Sequence, residues 1–229
     1  TQLAETGIRK LLGDKNTRKV IRIDSDNDKK TYEDISKYKN KVIIGTQMAW
    51  TQIDWEKIKL LVFLDADTSL FVPEYKVTEN LWHLLRDAQY KIKGKNKFLI
   101  QTNHPEHLVF ESLNRPEHVY QQELGQRKIF GYPPYKFLLK LFVANPNRAK
   151  VEQEAHQVKT MLTDLTKNQL SIKLTGPIEA TPYFYRGRYR QIILAKIKYN
   201  NYKRDTKYIL SKLPKDWKVD PNPNSILSI

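Results

Sequence analysis

The segment from Tyr183 to Arg190 interleaves aromatic and basic side chains, which suits it to binding a polyanion. If the segment is extended, the two-residue period of a strand places its three arginines on one side and its tyrosines, Tyr183, Tyr185 and Tyr189, on the other. Guanidinium groups that lie side by side repel one another unless an anion bridges them. Phosphate oxygens can do this, because they accept bidentate hydrogen bonds from arginine. The neighbouring tyrosine rings could stack on unpaired bases. The residues predicted to contact the anion, directly or in support, are Arg186, Arg188, Arg190, Tyr185, Lys196 and Lys198.

Two alternatives stay open for this segment. It could be an exposed hairpin whose tyrosines pack into the core, and for Tyr189 this is the better interpretation. The anion could also be an acidic peptide tail, because carboxylates accept the same arginine contacts as phosphates do.

Other reactive residue types give weaker signals. Asp65 and Asp67 follow an apolar run and could hold Mg²⁺ in principle, but paired acids at a strand end are more often structural. A phosphate-binding loop, with two glycines flanking four residues before Lys and Ser or Thr, does not occur in the sequence. The sequence has no cysteine, which excludes disulfides and cysteine-ligated zinc, and its 5 histidines form no convincing metal pattern. We therefore expect no cofactor or metal in this chain.

The charge of the chain is large and unevenly distributed. The 229 residues carry 40 Lys+Arg against 25 Asp+Glu, a formal net charge of +15. Residues 113–229 have a net charge of +12, whereas residues 1–112 have only +3. This asymmetry favours a polyanionic partner for the second half over a uniformly lysine-rich surface. The sequence has no apolar run of membrane-span length and no signal-peptide pattern, so a cytoplasmic location without membrane contact is expected.

The first half alternates apolar strand-like runs with helix-like runs, which is typical of a parallel α/β sheet covered on both faces. The predicted strands are 19–24, 41–44, 60–64 and 98–100, and the predicted helices are 31–38 and 73–91. Ligands usually bind beyond the carboxyl ends of such strands.

The second half predicts a different architecture. A connecting helix over 114–130 is expected to end at Tyr132-Pro133-Pro134-Tyr135. Strands are predicted at 137–143, 170–174, 191–197 and 217–219, and helices at 147–165 and 203–213. This β-α-β-β-α-β order is the split βαβ, or ferredoxin-like, arrangement. We therefore expect two domains, residues 1–112 and residues 113–229.

Several short motifs can be matched in order along the chain. They are Arg22-Ile23-Asp24-Ser25-Asp26, Gly45-Thr46-Gln47-Met48, Leu64-Asp65-Ala66-Asp67, Gln101-Thr102, His104-Pro105-Glu106-His107, Tyr132-Pro133-Pro134-Tyr135, Gly176-Pro177, Arg186-Gly187-Arg188-Tyr189-Arg190, and Trp217 with Val219-Asp220-Pro221. Together they make the sequence resemble the C-terminal half of the primosomal protein N′ (PriA) family of replication-restart helicases. The resemblance spans almost the whole chain. It implies a partial RecA-like second helicase lobe in residues 1–112 and the family's C-terminal domain in residues 113–229.

The departures from this family concern its motor. Its motif VI reads Gln-x-x-Gly-Arg-x-Gly-Arg, and here Tyr90 and Lys93 stand where the two arginines belong. An arginine finger is worth about 10³-fold or more in phosphoryl transfer, and neither tyrosine nor lysine offers its planar fork. Thr51-Gln52 replaces a Lys-Gly pair, and the family's zinc-binding cysteines are absent. The degenerate helicase-motif residues are Gly45, Thr46, Gln47, Asp54, Asp65, Asp67, Tyr90 and Lys93.

The resemblance implies binding to forked or single-stranded DNA during primosome assembly at stalled forks. It also implies contact with the acidic tail of single-stranded DNA-binding protein and with other primosome proteins. We expect no ATPase activity from this chain alone, and ATP and Mg²⁺ would enter only with a competent lobe upstream of Thr1. The alternatives are a fragment of an active 3′–5′ DNA helicase, a non-catalytic protein-binding scaffold and, ranked lowest, an RNA-binding domain.

Overall fold

The computed structural model describes residues 1–13, 20–24, 41–92, 96–167 and 171–228. The strands are β1 (Val20–Ile23), β2 (Val42–Gly45), β3 (Leu60–Phe63), β4 (Lys97–Ile100), β5 (Phe137–Asn145), β6 (Ile172–Tyr185), β7 (Arg188–Ile197) and β8 (Lys218–Pro221). The helices are α1 (Gln2–Leu12), α2 (Ala66–Leu70), α3 (Val77–Lys91), α4 (Leu108–Glu111), α5 (Pro116–Phe130), α6 (Arg148–Thr166) and α7 (Tyr202–Lys212). Within these ranges no helix is both long and apolar enough to cross a membrane.

The chain divides into two compact units. One comprises residues 1–62 and 88–99, and the other comprises residues 63–87 and 100–229. The smaller unit contains the parallel pair β1–β2, in register from Val20 opposite Val42 to Ile23 opposite Gly45. Both strands lie where apolar runs predicted them. The predicted helix over 31–38 falls outside the described residues.

β3 and β4 form a second pair. The main-chain amide of Lys97 donates to the carbonyl of Lys59, and that of Gln101 donates to the carbonyl of Phe63. Both strands advance by four residues in the same direction between these bonds, so the pair is parallel. The expectation of a single sheet covered on both faces is wrong for the described residues, because the four strands form two separate pairs. An apolar run predicts that a strand exists, but it does not say which strand pairs with it. Side chains that stay about half exposed on the second pair are Leu60, Val62 and Leu99.

The larger unit is built on a four-stranded antiparallel sheet in the order β6-β7-β5-β8. Its element order, strand-helix-strand-strand-helix-strand, is the one predicted. β6 runs for 14 residues and is much longer than the predicted strand over 170–174. It tolerates Pro177 and Pro182 because it is an edge strand, which need not donate from every amide. The ladder to β7 shifts register around both prolines.

The core of this unit lies between the sheet and the helices α6 and α7. Alternate residues of β5 and β7 meet the apolar stripe of α6, as strand and helix periods require. The buried members of this core are Phe137, Leu139, Leu141, Val143, Val151, Ala155, Val158, Leu162, Ile193, Ala195, Ile197, Ile209 and Trp217. α6 starts at Asn147, whose side chain accepts a hydrogen bond from the Lys150 amide and so caps the helix.

The opposite face of the sheet is covered by the C-terminal tail. Ile226 is buried there with Leu138, Ile192 and Leu194. The Glu74 carboxylate accepts hydrogen bonds from the amides of Ile226 (2.7 Å) and Leu227 (2.9 Å). The tail therefore completes this face and is an ordered part of the unit.

Candidate nucleic-acid interface

The aromatic-basic segment forms a hairpin. β6 and β7 meet at a two-residue turn, with Phe184 opposite Tyr189 and Tyr185 opposite Arg188. The turn residues Arg186 and Gly187 have φ values of 50° and 78°. Positive φ at both central positions is the geometry that matches the right-handed twist of the flanking strands. The chain therefore reverses at Arg186, so the segment forms the hairpin that was left open as an alternative and is not continuously extended.

The turn separates the three arginines. Arg186 and Arg188 are exposed at the tip, whereas Arg190 is only 6% exposed. The Arg190 guanidinium donates through Nε (3.1 Å) and through Nη2 to the carbonyl of Pro182. It also lies 5.2 Å from the centroid of the Tyr185 ring. Arg190 thus closes the root of the hairpin, and its guanidinium is engaged with the protein itself.

The aromatic residues are also divided by the turn. Tyr189 packs against the helix-side core, in agreement with the alternative favoured for it from the sequence. The Tyr183 hydroxyl donates to Glu152 of α6 (2.7 Å), and burial, followed by this hydrogen bond, raises the pKa of Tyr183. Phe184 and Tyr185 remain 53% and 48% exposed beside the tip. Phe184 was not among the predicted contact residues, because the two-residue period of a strand does not predict which side chains stay exposed next to a turn.

Lys196 and Lys198 lie at the far end of β7. Eight residues separate Arg188 from Lys196, about 26 Å along a strand. Lys196 is 8% exposed, and its Nζ donates to the carbonyl of Phe130 (2.9 Å). Lys198 is exposed. The structure therefore does not bring the two lysines together with the hairpin arginines, and the Lys196 ammonium is used within the fold.

The Lys196 ammonium caps a stack of rings. It lies 3.6 Å from the centroid of Tyr132, whose ring stacks on Tyr75 at 4.9 Å, and Arg127 lies 5.5 Å from the Tyr75 centroid. Burial lowers the pKa of Lys196, with further lowering by the positive charges of nearby lysines. Burial also raises the pKa of Tyr75 to about 12. The Tyr-Pro-Pro-Tyr motif thus has a packing role through Tyr132.

The first group of helicase-motif residues shapes a tight turn after β2. A Cβ on Gly45 would lie 2.6 Å from the Ala49 Cβ, so the close approach requires glycine. The Thr46 amide donates to the carbonyl of Ile23 on β1 (3.3 Å), and Gln47 begins a 3₁₀ turn. These contacts fix the position of the end of β2 and the turn that follows it.

Asp54 begins the next 3₁₀ turn. Its side chain accepts a hydrogen bond from the Glu56 amide and pairs with Lys57 at 2.9 Å. The hydrogen bond from Lys57 is the largest influence lowering the pKa of Asp54. Asp54 therefore acts as a helix cap.

Asp65 and Asp67 both bind protein groups. Asp65 caps α2 through the Thr68 amide (3.3 Å). Asp67 is buried and accepts hydrogen bonds from the Thr102 hydroxyl and from both nitrogens of Asn103 (2.7 and 2.9 Å). The Thr102 hydroxyl, followed by the Asn103 amide, lowers the pKa of Asp67. These contacts support the structural interpretation of the acidic pair over Mg²⁺ binding.

Tyr90, at one of the two motif VI arginine positions, is 80% exposed near the end of α3. Lys93 lies outside the described residues. Among the residues that are described, His, Asp and Glu side chains form no group that could hold a metal ion.

Lys140 is a second feature that sequence reasoning missed. It is 3% exposed on the central strand β5, and its Nζ donates to the carbonyls of Ser225 (3.0 Å) and Ser228 (2.8 Å) and pairs with Asp220 (2.9 Å). A single lysine inside an otherwise apolar strand run was the available signal, because a buried cation needs partners. Lys140 fixes the tail on the sheet.

Comparison with known protein families finds a match within the larger unit. Residues 128–224 match the family model of the primosomal protein N C-terminal domain. The matched residues include the whole antiparallel sheet.

The relatives with similar sequence are replication restart proteins PriA. The PriA of Borreliella burgdorferi is 27% identical over 202 residues, covering 84% of this chain and 30% of the relative. The PriA of Thermotoga maritima is 26% identical over 182 residues (78% and 23%), and that of Bacillus subtilis is 26% identical over 209 residues (86% and 25%). The resemblance to PriA is thereby confirmed for its C-terminal region. The chain spans about 30% or less of the length of these relatives.

Proposed function

We propose that this chain binds forked or single-stranded DNA during replication restart, as a degenerate PriA-like protein without a complete ATPase of its own. The observation that carries the proposal is the hairpin tip, where Arg186 and Arg188 are exposed next to half-exposed aromatic rings. Phosphates and bases are bound by this combination of groups.

The distribution of charge supports this location. Residues 113–229 carry 21 Lys+Arg and 9 Asp+Glu, and the hairpin is in this half. Positive charge concentrated on one part of a protein raises the local concentration of a polyanion and its association rate. The similarity to PriA proteins, which are named for replication restart, supports the biological setting.

The motor is proposed to be absent from this chain. The sequence has no phosphate-binding loop, and Tyr90 and Lys93 replace the arginines expected near ATP. An active 3′–5′ helicase with a competent upstream lobe is the alternative, and DNA-stimulated ATP hydrolysis by the longer protein would support it. No cofactor is proposed for this chain.

The finer architecture is part of the proposal. We assign the sheet β6-β7-β5-β8 with α6 and α7 to the ferredoxin-like arrangement, since its element and strand orders fit. The parallel pairs in the first half are assigned to a partial RecA-like lobe, with a domain boundary between residues 112 and 113. A cytoplasmic location is proposed as well.

Protein partners are proposed through the same chemistry. Carboxylates accept arginine and lysine contacts as phosphates do, so the acidic tail of single-stranded DNA-binding protein is a second candidate ligand. The exposed cations Lys198, Lys203 and Arg204, at and before the start of α7, favour this possibility. If the chain captured acidic peptides in nuclease-treated extract but had no affinity for DNA, a protein-binding scaffold would replace DNA binding as the main function.

The proposal is tested by fluorescence anisotropy with a labelled fork. The Arg186→Ala/Arg188→Ala double variant is expected to bind the fork on the order of tenfold more weakly, because each lost phosphate contact is worth about half to one kcal/mol. The Lys212→Ala/Lys215→Ala variant removes the same charge from exposed positions elsewhere and serves as the control. Equal affinity of the two double variants would remove the hairpin from the proposal, and no binding by the unaltered chain would remove DNA binding altogether.

A further inference from the structure

We infer that the hairpin tip is a binding site for an unpaired nucleotide of a DNA strand, in which Phe184 stacks on the base while Arg186 and Arg188 hold the adjoining phosphates. This inference rests on the proposed DNA-binding function and deepens it, because it names the part of the DNA that is recognised and the ring that recognises it.

Phe184 has the ring surface that stacking needs. Phe184 is 53% exposed, and its ring contacts Tyr189, at 4.7 Å between centroids and 46° between planes. This contact holds the ring from one side and is tilted, so it leaves ring surface open to solvent. Phenylalanine has no polar atom that gains from such exposure, and a stacked base would bury this area.

Tyr185 is less suited to stacking than Phe184. The guanidinium carbons of Arg186 and Arg190 each lie 5.2 Å from its ring centroid. A ring already in contact with two cations must give up at least one of them to admit a base. The expectation that the tyrosines stack on bases is therefore replaced by an assignment to the neighbouring phenylalanine.

The hairpin root holds these groups in place. Arg190 joins β7 to the Pro182 carbonyl of β6, and the Tyr183 hydroxyl binds Glu152 on α6. Arg148 of the same helix pairs with Glu152 at 2.8 Å and lies 5.5 Å from the Tyr183 ring. A site supported from behind loses less conformational freedom when a ligand binds.

Arg186 is an unusual choice for the turn. Its φ of 50° is in the left-handed region, where Asn and Gly are the residues that favour this type of hairpin. Folding alone would be better served by Asn. The arginine is explained if its side chain binds an anion beyond the tip, and a locally unfavourable backbone of this kind is found at binding sites.

These features predict selectivity for unpaired DNA. In a duplex each base is already stacked on its neighbours, so an external ring can reach a base face only at an end or a fork. A single strand offers a free face at every base. Arg186 lies in the turn and Arg188 directly follows it, so the two can contact the phosphates on either side of the stacked nucleotide.

The test compares Phe184→Leu and Phe184→Trp with a control, Phe71→Leu, which changes a phenylalanine elsewhere that is also more than half exposed (70%). Affinities are measured for a single strand, a blunt duplex and a single strand with abasic positions. Phe184→Leu is expected to bind the single strand on the order of tenfold more weakly, since stacking is lost. It is expected to bind the blunt duplex nearly as well as the unaltered protein does, since a duplex exposes base faces only at its two ends. Phe184→Trp is expected to bind as well as the unaltered protein, and the control is expected to show no change.

The abasic strand separates stacking from a general effect on folding. If Phe184 stacks on a base, removing the bases lowers affinity for the unaltered protein and for Phe184→Trp but has little further effect on Phe184→Leu. If Phe184→Leu bound the single strand with full affinity, the inference about Phe184 would be overturned. The proposed DNA binding would still stand, because the unaltered chain would still bind DNA. Tighter binding to an RNA strand of the same sequence would overturn the assignment to DNA.

Discussion

Arg188 and Arg190 lie two residues apart on β7, and the structure predicts opposite consequences for their removal. Arg190 is 6% exposed, and two of its guanidinium nitrogens donate hydrogen bonds to the Pro182 carbonyl. Its guanidinium also contacts the Tyr185 ring. A hydrogen bond from a charged group contributes about 1.5–3 kcal/mol, and a cation–π contact at a partly exposed ring about 0.5–1 kcal/mol. Arg190→Ala should therefore lower the free energy of unfolding by about 2–4 kcal/mol. Arg188→Ala, at an exposed position, should change it by less than about 0.5 kcal/mol.

Two assays on the same variants separate the roles. In urea unfolding followed by tryptophan fluorescence, Arg190→Ala should shift the midpoint downward by about 1 M or more, while Arg188→Ala stays near the unaltered protein. In DNA titrations at several salt concentrations, Arg188→Ala should make the log–log slope shallower by about 0.7 on a single strand, since it loses one phosphate contact. Arg190→Ala should keep the slope under conditions where it is folded. If Arg188→Ala were the unstable variant, or Arg190→Ala the one with the altered slope, the distinction between a structural and a binding arginine would be wrong.

Three further predictions concern the frame around the site. Lys140→Met should lower the free energy of unfolding by about 1–3 kcal/mol and speed amide exchange over 225–228, because the tail carbonyls lose their donor; unchanged exchange would contradict this. Because the pKa of Asp67 is lowered in the folded state, its ionised carboxylate stabilises the fold at neutral pH. This stabilisation is lost as the pH falls below about 4 and through the folded pKa. In Asp67→Asn, the free energy of unfolding should therefore fall less steeply with pH in the acidic range. Gly45→Val should cost about 1–3 kcal/mol by collision with Ala49, whereas Gly187→Ala, which has open space around its Cβ, should be penalised only through its positive φ.

The elements of the larger unit could be predicted because each has a strong local signal. The apolar run at Phe137–Asn145 gives β5, and the 3.6-residue stripe after the Asn147 cap gives α6. The end of α5 at Phe130 agrees with the prediction, but the residue that ends it is Gly131 in the left-handed conformation, before the proline pair.

The hairpin could not be predicted in the same way. Arg-Gly is not a recognised turn signal, as Asn-Gly is, and the prolines in β6 argued against a long strand. β6 can contain prolines and still form the hairpin because it lies at the edge of the sheet beside β7, and this position depends on how the whole sheet is assembled. For the same reason the sequence could not predict that Arg190 and Lys196 are buried, because their burial depends on Pro182, Phe130 and Tyr132.

The helicase-motif residues carry a related lesson. Gly45, Asp54, Asp65 and Asp67 keep contacts that shape strand ends and helix starts, so they explain a retained fold without any nucleotide. Motif resemblance alone does not separate such roles from chemistry. These contacts, together with Tyr90 in place of an expected arginine, fit the proposal of a partial helicase lobe without a complete ATPase of its own.

The most direct test of DNA binding is a salt titration of the unaltered chain on a forked DNA. Arg186, Arg188 and Lys198 are exposed cations of the basic half, and neutralising one phosphate each contributes about −0.7 to −0.9 to the slope of log K against log salt. The expected slope is therefore about −2 or steeper, with the fork bound more tightly than a blunt duplex of the same length. A slope near zero, or equal binding of fork and duplex, would contradict the account.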